Sequence, residues 1–184
     1  MTPMVLLDVD GVLNPSRRSS LAWRRYTGIV DGEPYKILLD PRHGPQLLTM
    51  ARECGAELVW ATTWEEQAND EISPRIGLPR LPVIPIGDYL SSSGGEHFKT
   101  GSVAAYVRRR PFVWFDDMLD AADQEYLSSH PGVGDFLLIH VDPRFGLTDT
   151  HLAQAREWLS RLPSADQAQR ADRVAAHDRE DRWS

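Results

Sequence analysis

The sequence predicts an α/β domain with a mostly parallel central sheet flanked by helices. Two observations carry this. Short apolar runs alternate with stretches of helical spacing along most of the 184 residues, the signature of strand–helix–strand units joined by right-handed crossovers. The runs also end in acids or hydroxyls: Asp8 and Asp10, Thr62 and Thr63, Asp116 and Asp117, Asp142. In open parallel sheets, ligands bind beyond the C-terminal strand ends, where strand order reverses.

The elements follow in order. Residues 4–9 (MVLLDV) form a short apolar run suited to a strand buried on both faces. Residues 14–36 read as irregular, with Gly28 and Gly32 as turn points, and 35–39 as a short strand. A helix enters at Pro45 and leaves at Gly55. Residues 57–62 (ELVWAT) form the next strand and 64–72 a short helix. Residues 73–87 carry four prolines and read as a loop feeding a short strand at VIPIG. Ser91–Gly95 reads as a linker. A helix over 100–109, a strand over 111–115, a helix over 119–129, a strand over 136–141 and an amphipathic helix over 148–162 complete the pattern. This gives one domain over 1–162, with 14–44 as a small flap insert. Residues 163–184 form a polar tail, either a solvated helix or frayed chain.

Composition narrows the function. Hydrophobic residues at 41% and charged residues at 26% fit an ordinary globular protein. No apolar run approaches the roughly 20 residues of a membrane-spanning helix. The N-terminus lacks a basic segment, and Asp8 and Asp10 break its apolar stretch, so it does not read as a secretory signal. One cysteine, Cys54, excludes an internal disulfide framework and a cysteine zinc cage. A reducing cytoplasm is the expected compartment. The net charge of −7 argues against a wholly basic nucleic-acid-coating surface. Arginines nevertheless cluster at 17–18, 24–25 and 108–110; these read first as solvated faces, with a local basic groove that tracks a phosphate backbone as the alternative. The only lysines are Lys36 and Lys99 among 20 basic residues, a skew expected of a G+C-rich bacterial genome.

The chemistry begins at Asp8-Val-Asp10-Gly11-Val-Leu-Asn14. In extended chain, residues 8 and 10 point the same way, and Gly11 permits a sharp turn. Two carboxylates at one strand end repel, and Asp116 and Asp117 arriving from a neighbouring strand add to the repulsion. A cation, or protonation of some members, relieves it. All-oxygen donors favour Mg²⁺, which also binds substrate phosphate. Asp8 then suits a nucleophile toward phosphorus, and Asp10 a general acid and base. A hydroxyl at the adjacent strand end suits the phosphoryl oxygens, and a lysine the remaining charge.

The ordered set Asp8-Val-Asp10-Gly11, Trp60-Ala-Thr62-Thr63, Lys99-Thr-Gly101 and Trp114-Phe-Asp116-Asp117 resembles the haloacid dehalogenase (HAD) superfamily over residues 4–142. The resemblance implies a HAD-like Rossmannoid fold, here without a large cap domain, and a Mg²⁺-dependent phosphatase. It implies Asp8 as the nucleophile forming an aspartyl-phosphate, and Asp10 as general acid/base lending its backbone carbonyl to the metal. Thr62 would bind the phosphoryl group, with Thr63 the alternate because the strand end is fixed only to within a residue. Lys99 would neutralise Asp8 and phosphate. Asp116 and Asp117 would hold the metal, with the direct ligand open between them. The D-V-D-G-V-L-N-P and W-A-T-T-W segments are similar to a HAD group of RNA repair proteins. The implied substrate is a phosphorylated small molecule or a nucleic-acid end; a non-catalytic HAD-fold binding protein is the rival reading. Asn14 reads as a turn residue or as one that orients Asp8 or Asp10, Trp64 as packing ahead of lining the pocket or stacking on a base, and His140 as a core or edge residue.

Overall fold

The computed structural model describes residues 1–30, 32–86 and 96–163. The 91–95 linker and residues 164–184 of the tail lie outside the described residues. Four strands form one parallel sheet: β1 (Met4–Leu7), β4 (Glu57–Trp60), β5 (Phe112–Asp116) and β6 (Phe136–His140), in spatial order β4-β1-β5-β6. The α/β reading therefore holds. The chain moves from β1 to one side and then crosses to β5 on the other, so strand order reverses at β1.

Alternation along β1 divides the core between two faces. Val5 and Leu7 pack in one cluster with Leu47 and Met50 of α1 (His43–Cys54) and Leu152 and Ala155 of α5 (Asp149–Ser160). Met4 and Leu6 pack in a second cluster with Val103 and Val107 of α3 (Thr100–Val107) and Leu127 of α4 (Ala121–Ser129). Trp60 faces the first cluster and Trp114 the second, both fully buried. Burying a large apolar side chain contributes about 1.5–3 kcal/mol, so both layers hold the sheet rigidly. No helix among the described residues is long and apolar enough to cross a membrane.

Between β1 and α1, the irregular segment expected over 14–36 is corrected. It contains an antiparallel hairpin, β2 (Arg24–Val30) with β3 (Glu33–Leu39), of which 35–39 is the part legible in sequence. The hairpin escapes a hydropathy reading because β2 buries only Gly28 fully, leaving no apolar alternation. The short helix expected over 64–72 is present from residue 66, with a different hydrogen-bond pattern. A turn is followed by one turn of π-helix over Ala68–Ile72, then α2 (Ser73–Ile76) where a loop was expected. Pro74 fits that first turn because its missing N–H needs no partner there. The expected VIPIG strand reduces, among the described residues, to a single bridge between Val83 and Trp60 at the β4 edge.

Candidate active site

Neighbouring strands deliver the acids. Leu7 of β1 pairs with Phe115 of β5, so Asp8 and Asp116 emerge side by side at the C-terminal rim. Asp8 donates its backbone N–H to the Phe115 carbonyl at 3.1 Å. Across β1, Ala61 donates to the Leu7 carbonyl at 2.8 Å and brings Thr62 alongside. Thr62 is fully buried beside the Asp8 carboxylate and favours its charged form, whereas Thr63 is exposed.

Lys99 sits at the mouth of α3 with 3% of its surface exposed. The helix dipole disfavours a cation there, and two carboxylates compensate. Its Nζ lies 2.5 Å from Asp8 Oδ2 and 2.7 Å from Asp116 Oδ2. The backbone around it is fixed by Asp123 of α4, fully buried, which accepts from His97 N at 2.7 Å, Thr100 Oγ1 at 2.5 Å and Asp120 N at 2.9 Å.

Carboxylate oxygens of Asp8, Asp116 and Asp117 lie within 4.8 Å of one another. Burial, offset by Lys99 and reinforced by Asp116, pushes the Asp8 carboxyl up to about 7. Asp117 is raised by burial and by the charge of Asp116. Burial pulls the Lys99 ammonium down, but the charges of Asp8 and Asp116 outweigh it and lift it above its ordinary value. Three carboxylates against one ammonium leave this pocket short of positive charge, and its donors are all oxygen. That fits a hard divalent cation such as Mg²⁺. Gly11 makes the convergence possible. It has φ +74°, and a Cβ there would stand 2.3 Å from the Asp117 Cγ.

Asp10 is held apart from the three-acid cluster. The loop folds back on the Val9 carbonyl, which accepts from Leu13 N at 2.9 Å and Asn14 N at 2.8 Å. This turn aims Asn14 Nδ2 at Asp10 Oδ1 (2.7 Å), while Trp64 Nε1 donates to Asp10 Oδ2 (2.8 Å). Asn14 Oδ1 accepts from Leu38 N of the hairpin at 2.8 Å. Tyr35 stands beside Asp10, and its ring meets Trp64 edge-on at 5.3 Å. Burial first, then the nearby Asp10 charge, raises the Tyr35 phenol.

The structure thus gathers Asp8, Thr62, Lys99, Asp116 and Asp117 around one point, with Asp10 on the adjoining wall. A family model for the HAD domain in Swiss Army Knife RNA repair proteins matches residues 4–152. The chain belongs to this family. No curated protein and no solved structure matches it. Membership places this HAD domain with the phosphatase-type hydrolases, and the matched span covers every residue of the site and the hairpin. Within the HAD domain, sequence reading undervalued Asn14 and Trp64 and overlooked Tyr35 and Asp123. The proximity of Asn14 to Asp10, four residues apart at a glycine turn, was the one local signal available. His140 ends β6 exposed and takes no part.

Proposed function

We propose that this HAD domain is a Mg²⁺-dependent phosphatase that hydrolyses phosphoric monoesters through an aspartyl-phosphate on Asp8. The observation that carries the reading is the Lys99 ammonium bound to both Asp8 and Asp116 at the strand-order reversal. The order Asp8-Val-Asp10 supports Asp8 as the nucleophile and Asp10 as the proton carrier, and the two carboxylates have different surroundings. Asp8 lies buried against a cation, and Asp10 is held by neutral donors at the edge of an open groove.

An Asp8 oxygen attacks phosphorus, and the ester P–O bond breaks. The leaving oxygen takes the Asp10 proton. Water then loses a proton to Asp10 and attacks the phosphoryl group, breaking the bond to Asp8 and releasing phosphate. Lys99 and the Thr62 hydroxyl offset charge on the phosphoryl oxygens. Asp8, Asp116 and Asp117, with the Asp10 carbonyl, would hold Mg²⁺, which when bound neutralises phosphoryl charge. The family's description names RNA repair, and among the described residues the approach to Asp10 holds a hairpin and no helical cap. Both support a nucleic-acid end as the esterified alcohol.

Replacing Asp8 with asparagine keeps the shape and removes the nucleophile. Turnover of phosphate esters by Asp8→Asn is expected below about 1% of wild type, with an unchanged circular dichroism spectrum. Chelator should abolish wild-type turnover and added Mg²⁺ restore it. Substantial turnover by Asp8→Asn, or indifference to chelator, defeats the reading.

A further inference from the structure

From the Asp10 side of the centre, a groove of about 890 Å³ runs along the hairpin. That lies near the top of the roughly 300–1,000 Å³ range of ligand pockets and exceeds the needs of a phosphoryl group. The strand register sorts the wall. Thr27 lies opposite Lys36 and Arg25 opposite Leu38, so these four share one face. The other face carries Ile37 and Leu39 into the core and Tyr35 against Trp64. Arg25 and Lys36 are therefore on the outer face, exposed, and they line the groove with Arg18.

Charge singles out this wall. The chain carries a net −7, yet the lining has three cations and Asp10 as its one acid. Arg42, Arg75, Arg80 and Arg144 each sit against a carboxylate. Among the described residues, neither Arg25 nor Lys36 forms an ion pair. The two lysines of the chain thus fall in one functional region, Lys99 at the centre and Lys36 on the groove wall.

We propose that the groove is a subsite for the strand behind the scissile phosphate. In it, Arg25 and Lys36 bind backbone phosphates of a single-stranded nucleic acid whose terminal phosphoryl group reaches Asp8. The assignment rests on the phosphatase reading and adds residues and a path to it. Diagonal neighbours on a sheet face stand roughly 7–8 Å apart at their roots, so each cation is free to take a separate phosphate. Asp8 is buried, so a terminal nucleotide must leave any duplex to bring its phosphate there. Leu38, Pro143 and Tyr35 add apolar surface for sugar and base.

Two measurements test this with purified full-length protein. In the first, a fluorescent single-stranded oligonucleotide bearing a terminal phosphate is titrated against wild type, Arg25→Ala/Lys36→Ala and Lys36→Glu. Affinity is expected to fall about tenfold or more in each variant, and the salt slope to shrink by about 0.7 per lost phosphate contact. In the second, the ratio of kcat/KM on that oligonucleotide to kcat/KM on p-nitrophenyl phosphate falls about tenfold in the double variant, carried by KM. Equal oligonucleotide affinity in wild type and double variant overturns the subsite. So does tighter binding of a phosphoserine peptide of equal charge. A wild type that hydrolyses neither ester but binds the oligonucleotide through Arg25 and Lys36 defeats the phosphatase reading and leaves the subsite standing.

Discussion

At the residue scale, the site depends on side chains that hold others in place. Asp10 has two neutral donors, Asn14 and Trp64, at 2.7 and 2.8 Å, and a hydrogen-bonded carboxylate keeps one rotamer near the scissile bond. Trp64→Phe deletes the indole N–H and keeps a ring against Tyr35. It is expected to lower kcat about tenfold, the worth of one hydrogen bond to a charged group, with KM little changed; steady-state kinetics on a small ester checks this. The acids and Thr62 were legible because charged or hydroxyl groups at the ends of apolar runs have no packing reason to be there, and Lys99 because lysine is rare in this chain and falls in the family's motif order. Trp64 was not, because its partner lies 54 residues away and an indole suits a core equally well. Thr62 was separable from Thr63 only once the register showed which hydroxyl turns inward.

At the element scale, α4 secures the lysine that α3 presents. Asp123 joins the two helix entrances by receiving three hydrogen bonds without a cationic partner among the described residues. Asp123→Ala strands the buried donors and is expected to cost about 2–4 kcal/mol of stability, read as a lower urea midpoint. Turnover should fall as well, since Lys99 loses its mooring. The sheet strands and their helices were legible because continuous apolar runs and helical spacing report burial directly. The hairpin was not, because its outer face is polar and its inner face is split between β2 and β3. Nor was the π-helical turn, whose Asn69 is drawn in by Trp60 Nε1 at 3.1 Å and Leu81 N at 2.8 Å, contacts invisible to periodicity.

At the scale of the whole molecule, acid stability has a definable source. His43 is buried edge-on to Trp23 at 5.2 Å, and its Nδ1 has no hydrogen-bond partner. Burial, only partly offset by Asp40, lowers its imidazole below the ordinary 6.5. Burial likewise lowers His97 and His151. A folded value below the unfolded one gives stability that is complete above about pH 6.5 and lost as pH falls through the folded value. Between pH 7 and pH 5 the Asp8 carboxyl, raised to about 7, takes up a proton in the fold and works in the opposite sense, so His43 is read by difference: the thermal midpoint of His43→Gln relative to wild type should rise as pH falls from 7 to 5, and a constant difference removes His43 as a source. The parallel sheet also gives the molecule two unlike ends. Asp8, Thr62 and Asp116 open at one rim, while Met1, Thr2, Glu57, Arg108 and Arg110 border a shallow depression at the other. A bead, a surface or a fused carrier coupled through residue 1 would grip the molecule by its back, leaving the reacting side turned toward the solution.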